Sequence, residues 1–260
     1  MISRQSLIRT AGLIAVLLAW QISVPLIGMP ASFYPPPAAV AKAFVTLIWE
    51  GILPSYLLDS LGRYAFGVAV GTAIGITLGI AVGMNRIIAE LLSPIISFFY
   101  AVVEVVWIPL LVIWWGYGLK TIVVAIIYVS VFPVLYNTIA GVRAVPQVLI
   151  NAAYSLGANR RQLLTDVIVP ASLPQIITGF RIGASFAFRG LIFAEMIAAS
   201  SGLGYLIADS ASNQQTDQTI VGMICMGLLW LFIDAVYLKP FERVTIQRWR
   251  TVLRAHAREQ

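Results

Sequence analysis

Long apolar runs alternate with short polar segments along this chain, and the apolar runs have the length of membrane-spanning helices. A helix needs about 20 residues to cross the hydrocarbon core of a bilayer. Six runs meet this requirement: Leu7–Ile27, Leu61–Met84, Pro94–Trp115, Ile122–Val142, Ile176–Ala199 and Ile220–Leu238. The pattern therefore predicts an all-α polytopic membrane protein with six transmembrane helices.

The longest polar interruption in this pattern, Pro146–Gln175, lies between the fourth and fifth runs and carries its own helix signals. Pro146 is typical of the first position of a helix, and Gly157 is typical of the position just after its last turn. Asn159 and Gln162 have the spacing of a capping box, which predicts the start of a second helix. A sharp turn between two short helices is the expected result.

Three residues predict how this second helix ends. Pro170 cannot continue a helix that precedes it, because it lacks an N–H group and its ring collides with an upstream carbonyl. Ser172 and Gln175 then have the spacing of a cap for the helix that follows. We therefore expect a rigid two-helix loop outside the membrane, and such a loop is suited to docking a partner.

Two further segments predict local packing. Span two contains five glycines four residues apart, which places them on one helix face where another helix can approach closely: Gly67, Gly71, Gly75, Gly79 and Gly83. Packing within the subunit, a moving seam and a subunit interface all fit this ladder. In the first loop, Ala38–Trp49 is either a short helix along the membrane interface or an ordinary connection.

Basic residues predict the orientation, because lysine and arginine concentrate on the cytoplasmic side. With the N-terminus inside, the three outer residues are Lys42, Arg63 and Lys120. The twelve inner ones are Arg4, Arg9, Arg86, Arg143, Arg160, Arg161, Lys239, Arg243, Arg248, Arg250, Arg254 and Arg258. Both termini and the two-helix loop are therefore expected in the cytoplasm.

Composition narrows the class of protein. The chain of 260 residues is 60% hydrophobic and 11% charged, with a mean hydropathy of +0.89, whereas soluble domains are about 25% charged. We expect one membrane domain over residues 1–260, with a core at about 55–240 and a docking loop at 143–175. The net charge of +6 is explained by orientation and does not indicate nucleic-acid binding.

Candidate chemistry is sparse. One cysteine and one histidine argue against a metal site, and the chain contains no phosphate-binding Gly-rich loop with a lysine and no Ser/His/Asp or Cys/His set. We therefore predict that this chain is not an enzyme and holds no cofactor.

Charged residues inside the apolar runs are the candidates for a solute pathway, because a carboxylate at the bilayer centre costs about 3 kcal/mol unless it has a partner or a cavity. Glu104 lies in span three with Trp107 and Pro109, and Pro109 predicts a kink there. Arg189 and Glu195 in span five are six residues apart, so they do not share a helix face. Arg189 can pair with Glu104, face an anionic solute or lie nearer an interface, and Glu104 itself has a functional and a structural interpretation.

The docking loop resembles the signature of permease subunits of bacterial ABC importers. That signature is Glu-Ala-Ala, three residues, Gly, nine residues, Ile, any residue and Leu-Pro, and it stands here as Asn151-Ala152-Ala153, Gly157 and Val167-Ile168-Val169-Pro170. The spacing matches throughout, although Asn replaces the first Glu and Val replaces Ile and Leu. The Asn offers hydrogen bonds but no charge to a partner.

Other segments extend the resemblance to the group that imports nitrate, bicarbonate, taurine and other sulfonates. They are Ser60-Leu61-Gly62-Arg63, Pro109-Leu110, Trp115-Gly116-Tyr117-Gly118, Ala194-Glu195-Met196 and Ser201-Gly202-Leu203-Gly204-Tyr205. The resemblance implies the type I importer fold in the bacterial inner membrane. It also implies a second, identical permease subunit, cytoplasmic ATPase subunits that bind ATP and Mg²⁺, and a periplasmic or lipid-anchored solute-binding protein.

The resemblance also assigns candidate sites. A coupling helix over 148–156 would contact the ATPase through residues at and after the signature: Asn151, Ala152, Ala153, Ser155, Leu156, Gly157, Ala158 and Arg160. The pathway candidates are Glu104, Trp107, Pro109, Arg189 and Glu195. A small anion is the expected solute, with aromatic carboxylates and pyrimidine-type vitamin precursors as alternatives. A secondary transporter or channel without an ATPase, and a membrane scaffold, are the competing functions.

Overall fold

The computed structural model describes residues 4–240, with their side chains except those of residues 4–10, 13 and 104. Within this range every regular element is helical, so the all-α prediction is confirmed. The helices are α1 (Arg4–Ile27), α2 (Pro37–Trp49), α3 (Ile52–Met84), α4 (Arg86–Ala101), α5 (Trp107–Trp115), α6 (Leu119–Arg143), α7 (Gln147–Ser155), α8 (Arg160–Gln162), α9 (Val169–Ala198), α10 (Leu203–Ser212) and α11 (Thr216–Ile233). A 3-10 turn over Glu104–Val106 precedes α5, a π-helical segment over Leu163–Ile168 joins α8 to α9, and another over Asp234–Leu238 follows α11.

Four helical segments in the described range are long and apolar enough to cross a membrane. They are Ile52–Met84, Leu119–Arg143, Arg160–Ala198 and Thr216–Leu238, and they match predicted spans two, four, five and six. Helix α1 has 24 residues, and its apolar part with described side chains is the shorter stretch Ile14–Ile27. The basic C-terminal tail lies outside the described residues.

The prediction of one continuous third span over Pro94–Trp115 is wrong. Helix α4 ends at Ala101, Val102 is extended (φ −79°, ψ 120°), and α5 begins at Trp107. Four valines around Glu104 lose side-chain freedom in a helix, which weakens this stretch. Pro109 sits in the first turn of α5, where its missing N–H costs nothing. The chain is therefore broken, and the break lies upstream of the kink that Pro109 predicted.

Pro170 does not end a helix, and this prediction is also wrong. Residues 160–198 form one continuous helical segment, and Ser172 is inside it, where its hydroxyl donates to the Val169 carbonyl at 3.1 Å. The turn before the proline is π-helical over Leu163–Ile168, and the Val169 N–H donates to the Leu164 carbonyl five residues earlier. This wider turn accommodates the proline ring without a break.

Helix α6 is the centre of the fold, packed between α3 and α9. All five ladder glycines of α3 face it, which confirms packing within the subunit. The α6 residues opposite them are Ile126, Ser130, Val134, Thr138 and Val142. Helix α9 approaches the other side of α6 through its own glycines: a Cβ built at Gly179 would lie 2.6 Å from the Asn137 Cβ, and one at Gly183 would lie 2.9 Å from the Ser130 carbonyl oxygen.

The helical alternative for the first loop is confirmed. Helix α2 runs over Pro37–Trp49 and begins with a proline in its first turn, as helices often do. Its buried residues Val40, Ala43 and Leu47 share one face, and α2 packs on α11. Trp49 at its end is 85% exposed, which suits the membrane interface where indole rings concentrate.

Candidate functional site

The predicted docking helix is present as α7, Gln147–Ser155, and no residue of it is buried. The helix follows Pro146, which is the capping residue rather than the first helical one as predicted. Its side towards the protein packs on a small apolar cluster: Ile150 and Ala153 contact a group formed by Val142, Leu163 and Ile168. The other side is open, and Val148 on it is 75% exposed.

The two signature alanines therefore differ in their surroundings. Ala152 is exposed, whereas Ala153 is half-buried and packs against the apolar cluster under α7. A large residue at Ala153 would first disturb the seat of α7 on its own subunit, and a large residue at Ala152 would change only the open side. Asn151 is also exposed, and its side-chain oxygen accepts a hydrogen bond from the Gln147 amide at 3.2 Å.

The exit from α7 has the predicted geometry. Gly157 has a φ of +81°, in the left-handed region that glycine adopts without strain. The capping box at Asn159 is confirmed: the Gln162 N–H donates to the Asn159 Oδ1 at 2.9 Å, and the Asn159 N–H donates to the Gln162 Oε1 at 2.9 Å. Leu156 is 89% exposed, Ser155 and Arg160 are also exposed, and Ala158 is half-buried.

Residue 157 supplies a first testable prediction. A Cβ on Gly157 meets no atom within 4 Å, so only the backbone conformation restricts this position. We expect Gly157→Val to destabilise the turn by about 1–2 kcal/mol, and Gly157→Asn to cost less because asparagine tolerates this region. Limited proteolysis of the loop in detergent should show faster cleavage for the valine variant than for the asparagine variant. Equal cleavage of the two would contradict this account.

The pathway candidates lie in different environments. Pro109 is exposed and Trp107 is half-buried, and the Trp107 Nε1 is buried with no acceptor among the described residues. The side chain of Glu104 lies outside the described residues, so its predicted pair with Arg189 stays a prediction.

Arg189 is exposed on α9, at the edge of a cavity of about 530 Å³ between α9 and α11. Its Cζ lies 4.6 Å from the ring centroid of Phe186, within the range of a cation–π contact, and its Nε donates to the Ser185 carbonyl at 3.5 Å. No described carboxylate lies within salt-bridge distance of it. The guanidinium is thus positioned beside an aromatic ring and can bind an anion.

Glu195 has a different setting, because its side chain is 0% exposed and fully hydrogen-bonded. Arg63 on α3 donates to it at 2.8 Å, the Ser60 hydroxyl lies 2.8 Å and 3.0 Å from its two oxygens, and the Gly204 N–H donates at 3.0 Å. Arg63 also donates to the Ser201 carbonyl at 2.6 Å. This network joins α3, α9 and the start of α10. Glu195 itself has no surface exposed to a cavity or to solvent.

Arg63 is the residue that the sequence analysis missed as a partner. It was considered as an outer basic residue and Glu195 as a pathway candidate, and each also lies in a segment that resembles the family, but the two were not paired. Both lie near the same predicted side of the membrane, at the first third of α3 and the end of α9, and this shared depth was the available signal. The prediction that Arg189 and Glu195 do not pair agrees with the Arg63–Glu195 bridge.

Helix α7 and the Glu195 network lie at opposite ends of the bundle. Helix α6 starts next to the end of α9, where the Gly118 N–H donates to the Ala198 carbonyl at 2.7 Å, and its other end leads into α7. The two predicted sets of site residues are therefore not brought together. Within the described residues no three His, Cys, Asp or Glu side chains cluster as metal ligands would.

Comparisons with known proteins identify the family to which this fold belongs. The family described as binding-protein-dependent transport system inner membrane component matches residues 71–238. The taurine transport system permease protein of Escherichia coli (strain K12) is 34% identical over 247 residues, covering 90% of this chain and 86% of the relative. The riboflavin transport system permease protein of Chloroflexus aurantiacus is 36% identical over 219 residues, covering 84% and 82%.

A solved structure shares the fold. A crystal structure of an amino acid ABC transporter with histidines aligns with a TM-score of 0.61 at 19% identity, covering 77% of this chain and 97% of that one. The family match spans more than half of the chain, and the relatives cover most of it. The chain therefore belongs to the binding-protein-dependent transport system inner membrane component family, as an ABC importer permease of the taurine and sulfonate group.

Proposed function

We propose that this chain forms the translocation pathway for a small organic anion and couples it to ATP hydrolysis by separate cytoplasmic ATPase subunits. The whole chain acts as one permease domain, pairs with a second identical copy and receives solute from a periplasmic or lipid-anchored binding protein. ATP and Mg²⁺ bind to the ATPase, and this chain carries no catalytic site. The family membership and the names of the relatives support this proposal.

The open side of α7 is the observation that carries the proposal. Ala152 lies between two exposed apolar side chains, Val148 (75% exposed) and Leu156 (89% exposed). The other side of α7 packs on its own subunit. Such a surface gains stability when a partner covers it, and the small Ala152 lets that partner approach closely. Asn151 lies beside it and adds hydrogen bonds rather than charge to the contact.

The distribution of charge supports the orientation that this docking requires. The loop carries Arg160 and Arg161 without an acidic residue nearer than Asp166. The count of twelve basic residues against three supports a cytoplasmic position for α7 and both termini, where an ATPase can reach them.

The test is a charge placed on the open side of α7. Ala152→Arg should weaken retention of the ATPase by about 30-fold or more, because burying an unpaired charge in an interface costs about 2–5 kcal/mol. The measurement is the amount of ATPase that co-purifies with the permease from cells expressing the whole importer.

Ala211→Arg is the matched control, because Ala211 is exposed at the end of α10, at the far end of the bundle from α7. It should retain the ATPase like the wild type. Undiminished retention by Ala152→Arg would contradict docking on α7. Solute transport by the chain alone in liposomes, without any ATPase, would overturn the proposed function in favour of a secondary transporter.

Arg189 favours an anionic solute within this proposal. It is a cation in a membrane-spanning helix with an aromatic neighbour at 4.6 Å and no described carboxylate partner. The names of the relatives include both a small aliphatic sulfonate and a large aromatic vitamin, so they do not choose between solute shapes. The Glu195 side chain is 0% exposed, so we assign it no direct contact with the solute.

A further inference from the structure

A cavity of about 570 Å³ lies at the end of the bundle that carries α7, where α3, α4 and α6 meet. Three charged side chains border it: Arg86 and Glu90 from α4 and Arg143 from α6. We call it the arginine cavity, because guanidinium groups from two different helices line one space. None of its lining residues belongs to the docking contacts or the pathway candidates described above.

The charges in the arginine cavity favour an anion. The Arg86 Nε lies 2.8 Å from the Glu90 Oε1, but these side chains are 91% and 68% exposed, so water competes with their pairing. Arg143 is also exposed, and no carboxylate of the described residues lies within salt-bridge distance of its guanidinium. Two guanidinium groups and one carboxylate leave the lining with a net positive charge.

Helix α4 indicates that the arginine cavity lies at the surface of the membrane. Its polar and apolar residues recur at helical spacing on different faces: Arg86, Glu90 and Ser93 on the side of the cavity, and Ile87, Leu91 and Ile95 on another. The three apolar side chains are 77%, 71% and 51% exposed, so the described subunit leaves them largely uncovered. An amphipathic helix of this kind places its polar residues among lipid headgroups and its apolar residues among acyl chains.

An anionic glycerophospholipid matches both the charge and the position of this cavity. A guanidinium group binds phosphate oxygens through parallel hydrogen bonds, and basic pockets between transmembrane helices on the cytoplasmic side bind acidic lipid headgroups. Glu90 and Ser93 can accept hydrogen bonds from hydroxyl groups, which favours a headgroup that carries them. Phosphatidylglycerol has an anionic phosphate and hydroxyl groups beyond it, and its acyl chains would lie along the exposed Ile87 and Leu91.

The arginine cavity also borders the seat of α7. Gly83 lines the cavity, and a Cβ built there would lie 2.8 Å from the Val142 Cβ. Val142 belongs to the apolar cluster on which Ile150 and Ala153 of α7 pack. The next residue, Arg143, ends α6 and lines the cavity. A molecule that binds Arg143 therefore restrains the end of α6 that leads into α7.

We propose that the arginine cavity binds the headgroup of phosphatidylglycerol, that Arg143 and Arg86 hold its phosphate, and that the bound lipid stabilises the seat of α7. This lipid site is separate from the solute pathway and from the open side of α7. It makes the packing of α7 depend on the composition of the surrounding membrane, because phosphatidylcholine lacks both the net charge and the hydroxyl groups.

The test compares two lipids with the same acyl chains. Dioleoylphosphatidylglycerol and dioleoylphosphatidylcholine are titrated into the full-length permease in detergent, and native mass spectrometry measures the dissociation constant of the first bound lipid. We expect the wild type to bind the phosphatidylglycerol at least about tenfold more tightly, as a charge-assisted hydrogen bond to its phosphate implies. Arg143→Gln should lose most of this preference, and Arg86→Gln, which changes the same cavity from α4, should also reduce it.

Limited proteolysis of the loop after α7 measures the effect on its seat. Added phosphatidylglycerol should slow cleavage of the wild type and leave cleavage of Arg143→Gln unchanged. Cleavage of the wild type that does not respond to the lipid would contradict the stabilisation of α7.

Arg161→Gln is the matched control, because Arg161 is exposed, carries the same charge at the same end of the bundle and does not line the cavity. Its preference should fall by no more than about fivefold, the effect of a basic residue that only attracts an anionic surface. Equal binding of the two lipids by the wild type, or equal losses in Arg143→Gln and Arg161→Gln, would overturn the assignment. Binding by single subunits that disappears in the permease pair would assign the cavity to the second copy and would also overturn it.

Discussion

Replacing Glu195 with alanine is expected to destabilise the folded subunit by about 3 kcal/mol, because the largely buried Arg63 then keeps only the more distant Asp59 carboxylate, 3.7 Å away, as an ionic partner. The Arg63 side chain is 13% exposed and its Nη1 lies 2.8 Å from the Glu195 Oε1. The substitution also leaves the Gly204 N–H, which donates to Glu195 at 3.0 Å, without an acceptor. The unfolding midpoint in detergent should fall by roughly 10 °C, at about 2–4 °C per kcal/mol for a chain of this size.

An exposed ion pair of the same chemistry provides the control. Arg86 and Glu90 are 2.8 Å apart on α4, but their side chains are 91% and 68% exposed. Exposed pairs contribute only about 0–1 kcal/mol, so Glu90→Ala should lower the midpoint by no more than a few degrees. If Glu195→Ala and Glu90→Ala have similar midpoints, the Arg63–Glu195 pair does not stabilise the fold.

A second variant separates a structural role of Glu195 from a role in transport. Arg63→Ala removes the other half of the pair, and the loss in the double variant should be smaller than the sum of the single losses. A pathway role would give a different result: Glu195→Ala would fold with the midpoint of the wild type and lose transport. The midpoint and the transport rate therefore distinguish the two interpretations of the same residue.

Local patterns predicted the elements that short-range chemistry determines. The four-residue glycine spacing, the capping box at Asn159 and the left-handed Gly157 all depend on residues within one or two helical turns. The structure confirms each of them. The local pattern of the first loop fits both a helix and an ordinary connection, and the structure selects the helix α2.

Local patterns could not predict contacts between residues that are far apart in sequence. Arg63 and Glu195 are 132 residues apart in sequence, and their contact requires the ends of α3 and α9 to meet. The break before α5 and the π-helical turn before Pro170 depend on which backbone distortion the surrounding helices accept. A proline in the sequence showed that a distortion was needed, but not that a π-helical turn would keep the helix continuous.

Helix α7 lies between these two cases, because its position was predictable from sequence but its exposed side was not. The family signature located α7 and Gly157 correctly, and it grouped Ala152 with Ala153 as one small face. The structure separates them because Ala153 packs on the cluster beneath α7. A helix of nine residues has two sides, and the position of the π-helical segment Leu163–Ile168 beneath it decides which side stays open.

Replacing Gly79 with leucine is expected to destabilise the subunit by about 3 kcal/mol or more, at the upper end of the cost of overpacking a core. A Cβ built at Gly79 would lie 2.5 Å from the Thr138 Cβ and 3.1 Å from the Leu135 carbonyl oxygen. Because one of these atoms is backbone, α3 and α6 must move apart to admit a side chain. We expect this variant to have a much lower unfolding midpoint in detergent, or a much lower yield of folded protein.

Gly62→Leu is the matched control on the same helix, because a Cβ there meets no atom within 4 Å. It should leave the midpoint close to that of the wild type. Gly79→Ala is a milder probe, and Thr138→Gly should rescue it by removing the Cβ that the new methyl group meets. The Thr138 hydroxyl is buried without a partner in the described range, so its removal breaks no hydrogen bond there. A double variant no more stable than Gly79→Ala would contradict direct contact between these positions.

The outcome also decides how the subunit can move during transport. Two helices that slide past each other must exchange one set of contacts for another. Each ladder glycine of α3 lies opposite its own α6 residue, at a distance that leaves no room for a side chain. If the Thr138→Gly rescue succeeds, Gly79 and Thr138 are in direct contact in the folded subunit, which favours a rigid α3–α6 pair over a moving seam. Motion transmitted from α7 would then pass through the continuous segment 160–198, whose first turns lie beneath α7.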